Sequence, residues 1–181
     1  MKLVSSGRDF GSFWIEQVGE EVLVGSAMPS AVLLRLKGDA AKRVYELMRR
    51  DDAREIPGLY NCHAAAEFVL FGRNADRIRE VDADTEIPVT QMSVREAVDT
   101  LELPCGFQLY SMITDDDGGY GFYVSHSAVL LGITEAGEAL AFEKDGRGPL
   151  RICSMETVRR DQKRTTMDKA YFYGTPKTPT A

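Results

Sequence analysis

The segment running from Asn61 through Cys62-His63-Ala64-Ala65-Ala66-Glu67-Phe68-Val69-Leu70-Phe71 to Gly72 constrains this chain most. Asn is among the strongest helix-capping residues and Gly a natural stop, so the ten residues between them are predicted to form one helix. Only Glu67 among them carries a formal charge. A helix this apolar must be buried, and its run of alanines suits close packing against neighbours. The rest of the fold has to be layered around it.

That placement puts Cys62 on the first turn. The N–H groups there have no partner within the helix, and the macrodipole adds positive potential, so a thiolate is favoured. A thiol needs such a setting to act as a nucleophile near neutral pH. The competing reading is a small buried hydrophobe, the ordinary role of a free cysteine. Cys105 and Cys153 lie in strand-like contexts without a helix start and read as structural. Three cysteines, far apart and without a Cys-x-x-Cys pair, make neither a disulfide framework nor a zinc site. No cofactor or metal is expected.

The base for such a thiol comes from a short choice, since the chain holds two histidines. His126 stands in Tyr123-Val-Ser-His-Ser-Ala-Val-Leu-Leu-Gly132, a strand-like run whose successive side chains alternate between faces. Its imidazole suits transfer of a thiol proton to a leaving group. His63 follows Cys62 directly, and adjacent helix residues do not face each other, which makes it a poor base for that thiol. A third group should orient the imidazole. The hairpin loop Thr134–Glu138 returns the chain as Ala139–Lys144, so Glu143 on the paired strand is the expected supplier, with an ion pair to Lys144 or Arg147 as the alternative role. Glu143→Gln is expected to slow turnover without unfolding the protein.

The remaining pattern is α+β. Short apolar runs at 13–18, 21–24 and 31–36 make the N-terminal part strand-rich, and Asp39 would cap a helix through Arg50. Polar connections are expected at 51–58 and 73–86. Ser93 and Glu96 form a capping box for a helix ending near Leu103, before Pro104. Strands follow at 106–113, 120–133, 139–144 and 150–153, with a turn at 115–119, a short helix at 156–163 and a closing strand at 171–173. Helices thus gather early and an antiparallel sheet late. With 181 residues and 44% hydrophobic content, residues 1–174 fit a single domain, followed by a frayed polar tail at 175–181. A net charge of −6 argues against a nucleic-acid partner. No run is long enough for a membrane span, and the start lacks the apolar core of a secretory signal, so a cytoplasmic location is expected, with export by a non-classical route as the alternative.

Tyr60-Asn61-Cys62-His63-Ala64-Ala65 and Ser125-His126-Ser127-Ala128-Val129-Leu130-Leu131-Gly132 together resemble papain-like cysteine hydrolases of the NlpC type. In these, a helix-borne Cys precedes a strand that opens on His and runs through small and aliphatic residues to Gly. The likeness covers about half the chain, from Tyr60 to Cys153. It implies a papain-like arrangement and cleavage of amide bonds, often in cell-wall peptides. Cys62 would be the nucleophile, His126 the base and Glu143 the third residue. Asn-Cys-His here departs from the Asp-Cys-Ser usual around the family's nucleophile. Transfer of the acyl group to an amine or alcohol, or a non-catalytic binding module on the same fold, are the alternatives.

Overall fold

The computed structural model describes residues 2–4, 13–27, 30–49, 61–72, 88–114, 118, 120–145, 150–162 and 170–178. In chain order these form β1 (Lys2–Val4), β2 (Phe13–Val18), β3 (Glu21–Ala27), β4 (Ser30–Leu36), α1 (Gly38–Arg49), α2 (Cys62–Phe71), β5 (Thr90–Met92), α3 (Val94–Thr100), β6 (Cys105–Thr114), β7 (Tyr120–Ile133), β8 (Ala139–Lys144), β9 (Leu150–Ser154), α4 (Met155–Asp161) and β10 (Ala170–Tyr173). The class is α+β. Two antiparallel sheets carry it, one ordered β1-β2-β3-β4 and the other β5-β10-β6-β7-β8-β9. Among the described residues no helix is long and apolar enough to cross a membrane.

The buried central helix is α2. Asn61 Oδ1 accepts the Ala64 N–H at 3.0 Å, and Gly72 ends the helix in the left-handed region at φ +65°, its N–H on the Phe68 carbonyl. Cys62, Ala64 to Phe68 and Val69 are all buried. Arg43 of α1 donates to the carbonyls of Val69 and Leu70 at 2.7 and 3.0 Å, filling acceptors that the helix end leaves open. Loss of the Asn61 cap should be measurable: Asn61→Ala is expected to lower stability by about 1 kcal/mol, read as a lower urea midpoint at unchanged slope.

One apolar core joins both sheets. Ile15, Val22, Val24 and Leu36 of the first sheet meet Val44, Leu47 and Met48 of α1, the alanines of α2, and Val129, Leu131, Leu140, Phe142 and Ile152 of the second. A second core lies on alternate residues of the same strands: Phe107, Leu109, Ala128, Leu130, Ala141, Cys153 and Phe172 pack with Ala97 of α3 and Met155 and Val158 of α4. The six-stranded sheet is therefore buried on both faces, which explains the near-continuous apolar run 128–131. Glu143 sits among these buried strand residues because it is paired, as described below.

Several expectations need correction. Asp39 lies in the first turn of α1, because the helix already begins at Gly38. The Ser93–Glu96 capping box is present, but α3 stops at Thr100. Leu101 instead pairs with Pro176, the Glu102 N–H reaches the Thr175 carbonyl, and the Lys177 N–H reaches the Thr100 carbonyl. The segment from Thr175 to Lys177 is thus tied to the end of α3 rather than frayed. The closing strand is present as β10, which lies between β5 and β6. The expected connections at 51–58 and 73–86 and most of the turn at 115–119 fall outside the described residues.

Candidate functional site

Cys62 opens α2 and is 7% exposed. Burial pushes its thiol up, but hydrogen bonds and charge from His126 and His63 outweigh that and hold it at about 5. Cys105 and Cys153 show the contrast. Both are fully buried, and burial carries Cys105 up to about 12 and Cys153 higher still, with the Glu143 carboxylate adding to the rise at Cys153. Of the three thiols, Cys62 alone is poised as a thiolate near neutral pH.

His126 lies on β7 just after a bulge. Leu109 pairs with His126 and Tyr110 with Val124, so Ser125 is the extra residue. A bulge increases local twist and can re-aim a side chain, and here it adjoins the imidazole. The His126 Nε2–H donates to Glu143 Oε2 at 2.6 Å, with both side chains almost wholly buried. That commits Nε2 and leaves Nδ1 for the thiol. Burial alone would pull the imidazolium down, but the hydrogen bonds and charges of Cys62 and Glu143 raise it to about 9.

Glu143 is the expected third group, and among the described residues it pairs with His126 and Arg151, Arg147 lying outside them. Arg151 stands directly opposite it across the β8–β9 pair, and its Nε donates to Glu143 Oε1 at 2.7 Å. Arg151 also reaches Asp161 of α4 at 2.8 Å, and the Cys153 thiol lies 3.6 Å from Glu143 Oε1. Burial pushes the Glu143 carboxyl up, yet His126 and Arg151 together hold it below the usual carboxylate value. The result is a chain of alternating charge, Cys62–His126–Glu143–Arg151–Asp161, in which each buried ion has a partner. Lys144, on the same strand, adds another cation near the thiolate; burial lowers its ammonium, and the charges of Cys62 and Asp145 oppose that.

The structure therefore brings Cys62, His126 and Glu143 together. His126 remains the expected base, but the His63 ring is not turned away from Cys62 as helix spacing suggests. This ring also hydrogen-bonds the thiol, because its Nδ1 is held 2.7 Å from Ser127 Oγ and the imidazole is drawn back toward β7. Arg151 was missed as well. The signal for it is the β8–β9 hairpin register, which sets position 151 opposite 143. Among the described residues, no group of three or more His, Cys, Asp or Glu side chains is arranged to hold a metal ion.

No protein-family model, curated protein or solved structure matches this chain.

Proposed function

We propose that this chain is a papain-like cysteine hydrolase that cleaves an amide bond through a thioester on Cys62. The observation that carries the reading is the unbroken hydrogen-bonded order from thiol to imidazole to carboxylate, on a helix start, a strand and the next strand. In the first step the Cys62 thiolate attacks the carbonyl carbon. The His126 Nδ1–H then passes to the leaving amine as the C–N bond breaks. In the second step neutral His126 takes a proton from water, the new C–O bond forms, and sulfur leaves as thiolate. Glu143 stays ionised throughout and steadies the imidazolium, and Arg151 keeps Glu143 ionised. The N–H groups at the start of α2 are donors suited to a developing oxyanion.

The resemblance to NlpC-type enzymes supplies the substrate class, peptides derived from cell wall. Release of fragments from purified wall peptides would support it, whereas turnover of acyl esters with no such release would favour acyl transfer. Hydrogen bonding between Cys62 and His126 weighs against a non-catalytic module, where neither residue would need the other.

Selective alkylation tests the nucleophile. At about pH 6.5, limiting iodoacetamide is expected to label Cys62 while Cys105 and Cys153 remain free thiols, as read by peptide mass spectrometry. Labelling of Cys105 or Cys153 with Cys62 inert would remove the basis for the proposal.

A further inference from the structure

Two imidazoles, not one, meet the Cys62 thiol, and each has its other nitrogen anchored by a different residue of the protein. His126 is anchored by Glu143. His63 is anchored by Ser127, the residue next to His126 on β7, at 2.7 Å. Successive strand residues leave the backbone on opposite sides, so a single dipeptide of β7 serves both rings. Ser127 is itself held. Its hydroxyl hydrogen-bonds Tyr173, whose ring lies over Gly106, the residue paired with Tyr173 across β10 and β6; a Cβ at Gly106 would collide with that ring. Burial and the nearby Glu67 carboxylate push the Tyr173 phenol up, and the hydrogen bond with Ser127 opposes that rise. A Ser127 hydroxyl that donates to His63 Nδ1 across the 2.7 Å contact leaves the ring proton on Nε2.

We infer that His63 is a second catalytic residue, whose Nε2–H donates a hydrogen bond to the Cys62 sulfur whenever that sulfur is anionic. The inference deepens the hydrolase reading and rests on it. In the resting enzyme this bond supports the thiolate together with the His126 imidazolium. In thioester breakdown the acceptor's proton goes to His126, the new bond to the carbonyl carbon forms, and the C–S pair returns to sulfur. The departing sulfur then receives the His63 N–H, with no proton leaving His63. A charge-assisted donor at the leaving atom is worth more in the transition state than in the neutral thioester, which is the condition for catalysis.

The pH profile of Cys62 alkylation by iodoacetamide, measured on the whole chain, isolates this bond from turnover. His63→Ala is expected to move the inflection upward by about one to two pH units, the loss of one charge-assisted hydrogen bond. Ser127→Ala should move it less, in the same direction, because it frees the ring without removing it; this variant also serves if His63→Ala fails to fold. Profiles that match wild type in both variants would overturn the inference and leave the hydrolase reading standing. A wild-type Cys62 that titrates as an ordinary thiol would overturn both.

Discussion

Replacing Cys62 by serine is expected to lower turnover by a factor on the order of 10⁶, the loss seen when a hydrolase triad loses its nucleophile. The reason lies in acidity. His126 and His63 bring a thiol down to about 5, but a serine hydroxyl starts several pH units higher and the same two hydrogen bonds cannot close that distance. Thermal stability should change little, since serine is nearly isosteric and keeps an acceptor for both rings. Wild-type turnover should rise with pH through about 5, as the thiolate forms, and fall through about 9, as His126 loses its proton. Matched melting temperatures and a pH–rate curve check both statements. Turnover in Cys62→Ser within tenfold of wild type would mean that another group attacks the substrate.

Glu143→Gln should be nearly as damaging, for a reason that the sequence does not reveal. Read from the chain alone, glutamine keeps a hydrogen bond to the imidazole and leaves the fold intact. In the structure Glu143 accepts from two buried donors at once, His126 on Oε2 and Arg151 on Oε1. Glutamine has one acceptor oxygen, so its NH₂ must face one of those donors, and a buried guanidinium or imidazolium loses its counter-charge. Breaking a buried ion pair by removing one partner costs about 3–5 kcal/mol. The variant should therefore lose both turnover and a large part of its stability, seen in urea denaturation. The acid side gives a second signature. The folded carboxyl is depressed below its unfolded value of 4.5. The stability it contributes is thus complete above that value and is lost as pH falls through the folded one. Glu143→Gln lacks this dependence, so its stability should approach wild type as pH is lowered. A constant gap between the two proteins down to acid would place the stabilising charge elsewhere.

Much of this site is legible in the sequence because its parts are local. The Asn61 cap, the Gly72 stop and the Ser93–Glu96 box each satisfy backbone groups within one turn, and all three occur where the residue types indicate. The Thr134–Glu138 loop is short enough to set β8 beside β7 and so bring Glu143 toward His126. What escapes is what depends on a second register. Arg151 becomes the partner of Glu143 only once the β8–β9 alignment is known, and Ser127 becomes an anchor only once α2 lies against β7. His63 fails the rule that neighbours on a helix do not face each other, because a first-turn side chain has no preceding turn to fence it in. The strands β1 and β5, three residues each, are too short for any alternation to show.

Because His126 and Ser127 leave β7 on opposite sides, the site imposes an even–odd rule on inherited variation in this strand. Gain or loss of one residue between His126 and the register shift at Leu131 would exchange the two side chains, handing an alcohol to Glu143 and an imidazole to His63. A lineage crossing that step would lose both anchors in one mutation, and no single substitution could restore them. The bulge at Ser125 against β6 and the register shift at Leu131 against β8 mark where the rule ends. Toward Tyr120 the arm can change length while the bulge isolates His126 from the shift, so tolerated insertions in descendants of this chain should cluster there and avoid the stretch from His126 to Leu130.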